Sequence, residues 1–160
     1  MSRCDAAERV LAIKGALLTI DGPPTWHVDL ASEQLVMIGK GMPMDGPDTL
    51  VVLGAWDVGS DPDQGETSST LYQWRIGVMA RTVATSDDEE TRLLDALDFA
   101  DDLTRAILTD GSLGGRCAHK LSVAWREYEE ANVDATGPII IVGEITYSIL
   151  RAVDADGEGL

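Results

Sequence analysis

The run of residues 86–123 constrains the fold most, because it predicts an acidic amphipathic helix that leads through a glycine turn into a strand. Ser86 and Glu89 have the spacing of a capping box, and the acidic residues around them suit the positive end of a helix dipole. Apolar residues then recur at the helical period as far as Gly111, which supplies the stop. The predicted buried stripe contains Leu93, Leu97, Ala100, Leu103 and Ile107, widened by Leu94, Phe99 and Leu108. Such a helix covers a sheet, and we expect Leu97→Asp, at the centre of the stripe, to prevent folding.

The remaining elements predict an α+β domain. A first helix is expected over residues 5–20, and a Gly-Pro-Pro turn ends it. Strands are expected at residues 26–30, 50–56, 71–83, 116–128 and 139–153, with a brief extended piece at 35–38. Because hairpins join neighbouring strands, this order favours an antiparallel or mixed β-sheet with two helices packed on one face. We assign residues 1–153 to a single domain of this kind and residues 154–160 to a flexible acidic tail.

Residues 57–70 form a polar, glycine-bearing run between two predicted strands, which indicates a long β-hairpin loop with a mobile tip. Four carboxylates in this run, Asp57, Asp61, Asp63 and Glu66, resemble a calcium-binding cluster. The EF-hand spacing fails, because the position that requires glycine falls on Glu66 or on a proline. A solvated loop is therefore the better interpretation, and we expect no metal site.

Other residues with reactive side chains give no recognisable active site. Cys117 and His119 share one face of a predicted strand, but no third group or oxyanion hole accompanies them. His27 has no ligand partner nearby in the sequence. Two glycine-rich runs lack the order of a phosphate-binding loop. We therefore expect neither catalysis nor a cofactor.

The net charge of −16 is the strongest compositional signal. Because 28 acidic residues oppose 12 basic ones, the surface will not bind nucleic acid through its phosphates. The acidity fits a passage through which DNA slides without sticking, and it equally fits high solubility or adaptation to salt. No apolar run is long enough to span a membrane and no signal peptide is recognisable, so we expect a protein made in the cytosol. All four tryptophans fall in predicted strands, which favours core or subunit-interface packing over base stacking: Trp26, Trp56, Trp74 and Trp125.

Several of these features together resemble the tail terminator proteins of long-tailed phages. They are an N-terminal helix that closes before a proline turn, a hairpin ending in a long strand, the turn Leu113-Gly114-Gly115 after an amphipathic helix, and a final strand at 144–149. The resemblance covers nearly the whole chain. It implies an α+β subunit of a ring, described as hexameric, that caps the head-proximal end of the tail tube and stops its polymerisation. It also implies contacts with the tail tube protein and with a head-completion or connector protein. DNA would pass through the lumen without specific binding, assembly would take place in the host cytoplasm, and no catalysis, cofactor or membrane would be involved.

Two other classes of protein stay open. A head-completion, neck or tail-tube protein of the same virion would share the small size and the α+β make-up. A small soluble enzyme or ligand-binding domain would have its site at the acidic loop. A tube subunit forms open-ended polymers, a terminator forms a closed ring, and the ligand-binding domain is expected to be monomeric. The candidate residues for contacts with other copies or partners are Asp57, Asp61, Asp63, Glu66, Tyr72, Trp74, Leu113, Gly114 and Gly115.

Overall fold

The computed structural model describes residues 5–61, 69–109, 120–128 and 137–152. Two helices and five strands are found in these ranges, with one 3₁₀ turn before the first strand. In chain order they are α1 (Asp5–Leu17), the 3₁₀ turn (Glu33–Leu35), β1 (Val36–Ile38), β2 (Leu50–Asp61), β3 (Ser69–Thr82), α2 (Glu89–Thr109), β4 (Lys120–Glu127) and β5 (Ile139–Ala152).

The five described strands form one mixed sheet in the order β1-β2-β3-β5-β4. β1 pairs with β2 in parallel, and the other neighbours are antiparallel. The long central strand β3 pairs along its whole length with β5, from Ser69 opposite Ala152 to Thr82 opposite Ile139. The predicted α+β class, with an antiparallel or mixed sheet, is confirmed.

Both helices pack on the same face of the sheet, which we call the inner face, and the opposite side is the outer face. Residues directly opposite each other in a ladder share a face, so the pairs Ile76–Ile145 and Trp74–Tyr147 lie on the same side. The predicted placement of two helices on one face is confirmed, because helix and strand residues share one buried cluster. It includes Ile13, Leu17, Val51, Leu53, Ile76, Val78, Phe99, Leu103, Ile107, Ile145 and Tyr147.

The ends of both helices differ from the prediction. α1 ends at Leu17 rather than at residue 20, and a turn follows in which Ile20 is still fully buried. The predicted capping box of Ser86 and Glu89 is wrong, since the Asp88 carboxylate accepts the Thr91 N–H at 3.1 Å and thereby caps α2. A charged acceptor placed directly before the helix satisfies one of its free N–H groups without help from Ser86.

The predicted buried stripe of α2 is wrong for four of its leucines. Leu97 is 57% exposed, and Leu93, Leu94 and Leu108 are exposed as well. The buried residues of α2 are Phe99, Asp102, Leu103, Ala106 and Ile107. Apolar residues cover so much of this helix that several faces could have been buried, and tertiary packing selects the one with the large Phe99 ring. The reason for expecting Leu97→Asp to prevent folding is therefore lost.

Two predictions about strands are corrected. Residues 26–30 are no strand but a loop with a single bridge between Asp21 and Asp29. Residues 57–70 are not one long loop, because Asp57–Asp61 extend β2 and Ser69 and Thr70 belong to β3. Their polar composition predicted a loop, but the ladder with β3 continues through them. The remaining residues of that run, 62–68, lie outside the described residues, so the prediction of a mobile tip stays a prediction.

Other boundaries agree better with the sequence. The brief extended piece at 35–38 is confirmed as β1, and the last predicted strand is confirmed as β5 to within one residue. β4 is described from Lys120 onward. The predicted tail at 154–160 and the glycine turn at 110–115 lie outside the described residues. No helix in the described part of the chain is long and apolar enough to cross a membrane.

Candidate assembly surface

The structure separates the sequence-predicted interface residues that it describes. Tyr72 and Trp74 lie on the inner face of β3, in the same alternation as Ile76. Asp57 lies in β2 opposite Arg75, on the outer face, and Asp61 pairs with Leu71 at the end of the strand. The Asp57 carboxylate and the aromatic pair of β3 therefore do not form one site. The other predicted residues lie outside the described ranges: Asp63, Glu66, Leu113, Gly114 and Gly115.

A concave apolar surface lies where the inner face of the β2–β3 hairpin passes the start of α1. The ladder between these strands is irregular between Leu53 and Trp56, and the residues that follow extend toward Asp61. The concavity has a volume of about 410 Å³. We call it the tryptophan concavity. It is lined by Ala6, Ala7, Val10, Ile38, Leu53, Gly54, Trp56, Val58, Trp74, Ile76 and Tyr147.

The floor of the tryptophan concavity is packed on the core, and its wall is exposed. Trp74 stacks on the fully buried Tyr147, with ring centroids 6.4 Å apart and planes 15° apart. Val58 lies directly opposite Trp74 in the ladder and is 42% exposed. Trp56 is 71% exposed, although it lies on the face that the helices cover elsewhere. Contiguous apolar surface of this kind marks an interaction site more often than a single exposed side chain does.

A second apolar surface is formed by Leu93, Leu94 and Leu97 in the first turns of α2, all of which are exposed. We call it the leucine patch. Its flanks are acidic, since Glu90 lies four residues before Leu94 and Asp101 lies four residues after Leu97, and both acidic residues are exposed. The start of α2 is held near the start of β5, because the Arg92 guanidinium donates to the carbonyl oxygen of Gly137 at 2.7 Å.

A fully buried carboxylate, Asp102, fixes the loop before β1 to α2. Its oxygens accept the backbone N–H groups of His27 and Val28 at 2.6 Å and 3.1 Å. They also accept the His27 ring Nδ1 at 2.9 Å and the Arg105 guanidinium at 3.4 Å. Arg105 in turn lies over the Trp26 ring, 4.1 Å from its centroid. These contacts explain why residues 26–30 form a loop: the N–H groups of His27 and Val28 bind a side chain instead of a neighbouring strand.

The hydrogen bond to Asp102 raises the pKa of the His27 imidazole above its ordinary value of 6.5. The negative charges of Asp102 and Asp98 add to this rise in pKa, while burial and Arg105 oppose it. The ring Nε2 lies 3.8 Å from an Asp98 oxygen and is half exposed. A histidine oriented by a carboxylate can take up a proton, but every contact described for it joins the loop to α2. We therefore interpret the cluster as a clasp that holds the loop.

The buried Asp102 and the exposed Trp56 and Val58 were not predicted from the sequence, although the sequence contains an indication of each. Asp102 falls between Phe99 and Ala106 on the buried side of α2, and a lone carboxylate within an apolar stripe needs donors. Trp56 and Val58 alternate along a strand and so predict an apolar face that continues past the end of the predicted strand. Within the described ranges, no group of three potential metal ligands comes together.

The sequence was also compared with known proteins. No protein-family profile matches it, and no curated protein matches it either.

Proposed function

We propose that this chain is a structural virion protein. It forms a ring that caps the tail tube of a long-tailed phage, stops polymerisation of the tube and presents a surface for joining to the head. The observation that carries the proposal is the tryptophan concavity. An apolar hollow of about 410 Å³ with an indole that is 71% exposed suits burial against another subunit. The α+β fold agrees with the resemblance to tail terminators.

The charge of the chain fits this role. A net charge of −16 on one subunit is multiplied in a ring, and such a ring repels the phosphates of DNA rather than binding them. DNA can then pass through the lumen without being held. Repulsion between the subunits must be offset at their contacts, and apolar burial is the term that can do so.

The capping function has a simple physical reason. Each ring that joins a growing tube exposes the same surface again, so the tube has no intrinsic length. Growth stops only when a ring binds that surface and presents a different one on its far side. A terminator therefore needs a closed ring, which forms when the rotation between neighbouring subunits returns to its start.

Size-exclusion chromatography with light scattering on the purified protein tests the first step. A terminator gives a ring with a fixed number of subunits, a tube protein gives a broad distribution of polymers, and a ligand-binding domain gives a monomer. The monomer and the open polymer both contradict the proposal.

Electron microscopy of a virus that lacks the protein tests the second step. We expect overlong tubes beside full heads without tails, and we expect purified protein added to the extract to restore joining. Tails of normal length already attached to heads would contradict the proposal. Finished tails of correct length that stay unattached would favour a head-completion protein instead.

A further inference from the structure

We propose that the leucine patch on α2 of one copy inserts into the tryptophan concavity of the next copy. The contact is heterologous, meaning that two different surfaces meet, and it repeats around the ring. This inference deepens the proposed function and rests on the ring that it requires.

The two surfaces lie at opposite ends of the subunit. The tryptophan concavity lies beside Trp74, whereas the leucine patch lies where β3 ends at Thr82 and β5 begins. Trp74 and Thr82 are eight steps apart along the strand, which corresponds to about 26 Å. A single subunit therefore cannot cover its own concavity with its own leucines. A neighbour that does so leaves its own concavity free for a third copy, and this head-to-tail arrangement forms a ring when the rotation between neighbours closes.

The two surfaces also match in volume and shape. An engineered core cavity of about 150 Å³ holds a molecule the size of benzene, so a hollow of about 410 Å³ has room for about two or three leucine side chains. The leucine patch offers Leu93, Leu94 and Leu97 on the convex surface of a helix. A second tryptophan concavity in a two-fold contact would bring one hollow against another and fill neither.

The acidic flanks of the leucine patch have a basic counterpart close in sequence to the concavity, Lys40, whereas Asp57 of β2 lies on the outer face. Glu90 and Asp101 flank the leucine patch, and both are exposed. Lys40 is exposed and lies two residues beyond Ile38, which lines the concavity. On a chain with 28 acidic and 12 basic residues, a lysine at this edge favours an acidic partner and helps to set the orientation of the contact.

Disulfide cross-linking tests the contact directly. Val58→Cys in the concavity and Leu97→Cys in the patch are made separately, each in a background where Cys4 and Cys117 are replaced by serine. A disulfide forms only when the two Cα atoms approach to within about 7 Å. We expect cross-linked dimers under mild oxidation when the two variants are mixed, and none when either variant is oxidised alone.

The matched control is Leu108→Cys, which is on the same helix and also exposed. It lies about 16 Å along α2 from Leu97, so mixing it with Val58→Cys should give no dimer. Dimers from Val58→Cys alone would indicate a two-fold contact and overturn the inference. Equal cross-linking by Leu97→Cys and Leu108→Cys would overturn it as well.

A complementation experiment avoids new cysteines. Leu97→Asp removes the patch but keeps the concavity, and Trp56→Asp does the reverse. Each variant alone should be a folded monomer by circular dichroism and light scattering. An equimolar mixture should form a one-to-one dimer that grows no further, because one intact pair of surfaces remains. Two monomers in the mixture, or rings from either variant alone, would overturn the inference.

Failure of the inference and failure of the proposed function give different results. A ring of the parent protein in which Val58 and Leu97 do not cross-link overturns this contact and leaves the capping function in place. Cross-linked rings, together with normal attached tails in the virus that lacks the protein, overturn the capping function and leave the contact in place.

Discussion

The two halves of strand β2 differ in burial, although each half has apolar residues on the same face of the sheet. Before the irregularity in β2, the inner-face residues Val51 and Leu53 are covered, and Leu53 is only 1% exposed. After it, Trp56 and Val58 lie on the same face of the sheet and are open to solvent. Alternation along a strand decides the side on which an apolar residue lies. Whether that residue is buried depends on how far the helices reach.

This difference separates stability from assembly. The covered half contributes the buried area that stabilises the single subunit. In the other half, Trp56 and Val58 of β2 are exposed, so their apolar surface is available for another chain. A substitution in the covered half should therefore lower the melting temperature and leave the assembly unchanged. A substitution of an exposed residue in the other half should weaken the assembly and leave the melting temperature of the subunit unchanged.

The largest effect is expected from Leu103→Asp. Leu103 is fully buried in the core cluster, and an unpaired carboxylate there costs several kcal/mol, which is enough to unfold most domains. Leu97→Asp on the same helix is the matched control, and it should lose assembly while melting like the dissociated parent subunit. Thermal melts followed by circular dichroism provide the measurement. A normal melt for Leu103→Asp would show that the buried face of α2 is assigned wrongly.

Trp56→Ala tests the exposed half of β2. If Trp56 is central to a subunit contact, its loss should reduce the free energy of association by at least about 2 kcal/mol. The dissociation constant would then rise roughly 30-fold. The melting temperature of the dissociated subunit should not change. Analytical ultracentrifugation over a range of concentrations would measure the association.

Val51→Ala is the control for Trp56→Ala on the same strand and face. It should lower stability by about 2 kcal/mol, which corresponds to about 4–8 °C in melting temperature for a domain of this size. It should leave assembly unchanged at temperatures where the subunit is folded. Loss of assembly in Val51→Ala, together with a lower melting temperature of the Trp56→Ala subunit, would contradict the distinction between the covered and uncovered halves.

The smallest effect concerns the clasp of Asp102 and His27, which joins the loop before β1 to the buried face of α2. Because the pKa of His27 is raised above 6.5, its protonated form is favoured in the folded state. Its contribution to stability is therefore fully present below pH 6.5 and is lost as the pH rises through the raised pKa. An NMR titration of the imidazole signal, assigned by its loss in His27→Gln, should show the raised pKa.

Asp102→Asn is the companion variant for the clasp. It keeps the shape of the side chain and removes its charge, so the pKa of His27 should fall back toward its ordinary value. The dependence of melting temperature on pH that arises from His27 should disappear with it. An unchanged His27 titration in Asp102→Asn would mean that this carboxylate does not hold the ring in solution.

Fold class and the element order, apart from the predicted strand at residues 26–30, could be predicted from the sequence, because they depend on local periodicity. Apolar residues recur at the helical period in α1 and α2, and residues alternate along β3 and β5. The positions of Tyr72 and Trp74 on one face follow from the same alternation. Nearness in sequence does not place Asp57 beside these two residues, because Asp57 lies on the other face of the sheet.

The parts that could not be predicted depend on contacts between distant residues. The buried face of α2 was ambiguous because leucines lie on most of its sides, and packing rather than period selected Phe99 and Leu103. The loop before β1 alternates like a strand, but Asp102, more than seventy residues away in sequence, accepts its N–H groups. The polar end of β2 is a strand because β3 pairs with it. No local pattern contains this information.

The irregularity between Leu53 and Trp56 has a further consequence. Three steps along β2 from Leu53 to Trp56 correspond to two steps along β3 from Val78 to Ile76, so one extra residue reverses the phase of the strand. Deleting that residue would turn Trp56 and Val58 to the outer face and Asp57 to the inner one. The inner face at this end of the hairpin would then carry the Asp57 carboxylate instead of the Trp56 indole. Deleting one residue, with no other change in the sequence, would thus replace an apolar surface that favours contact with another subunit by a charged surface that opposes it.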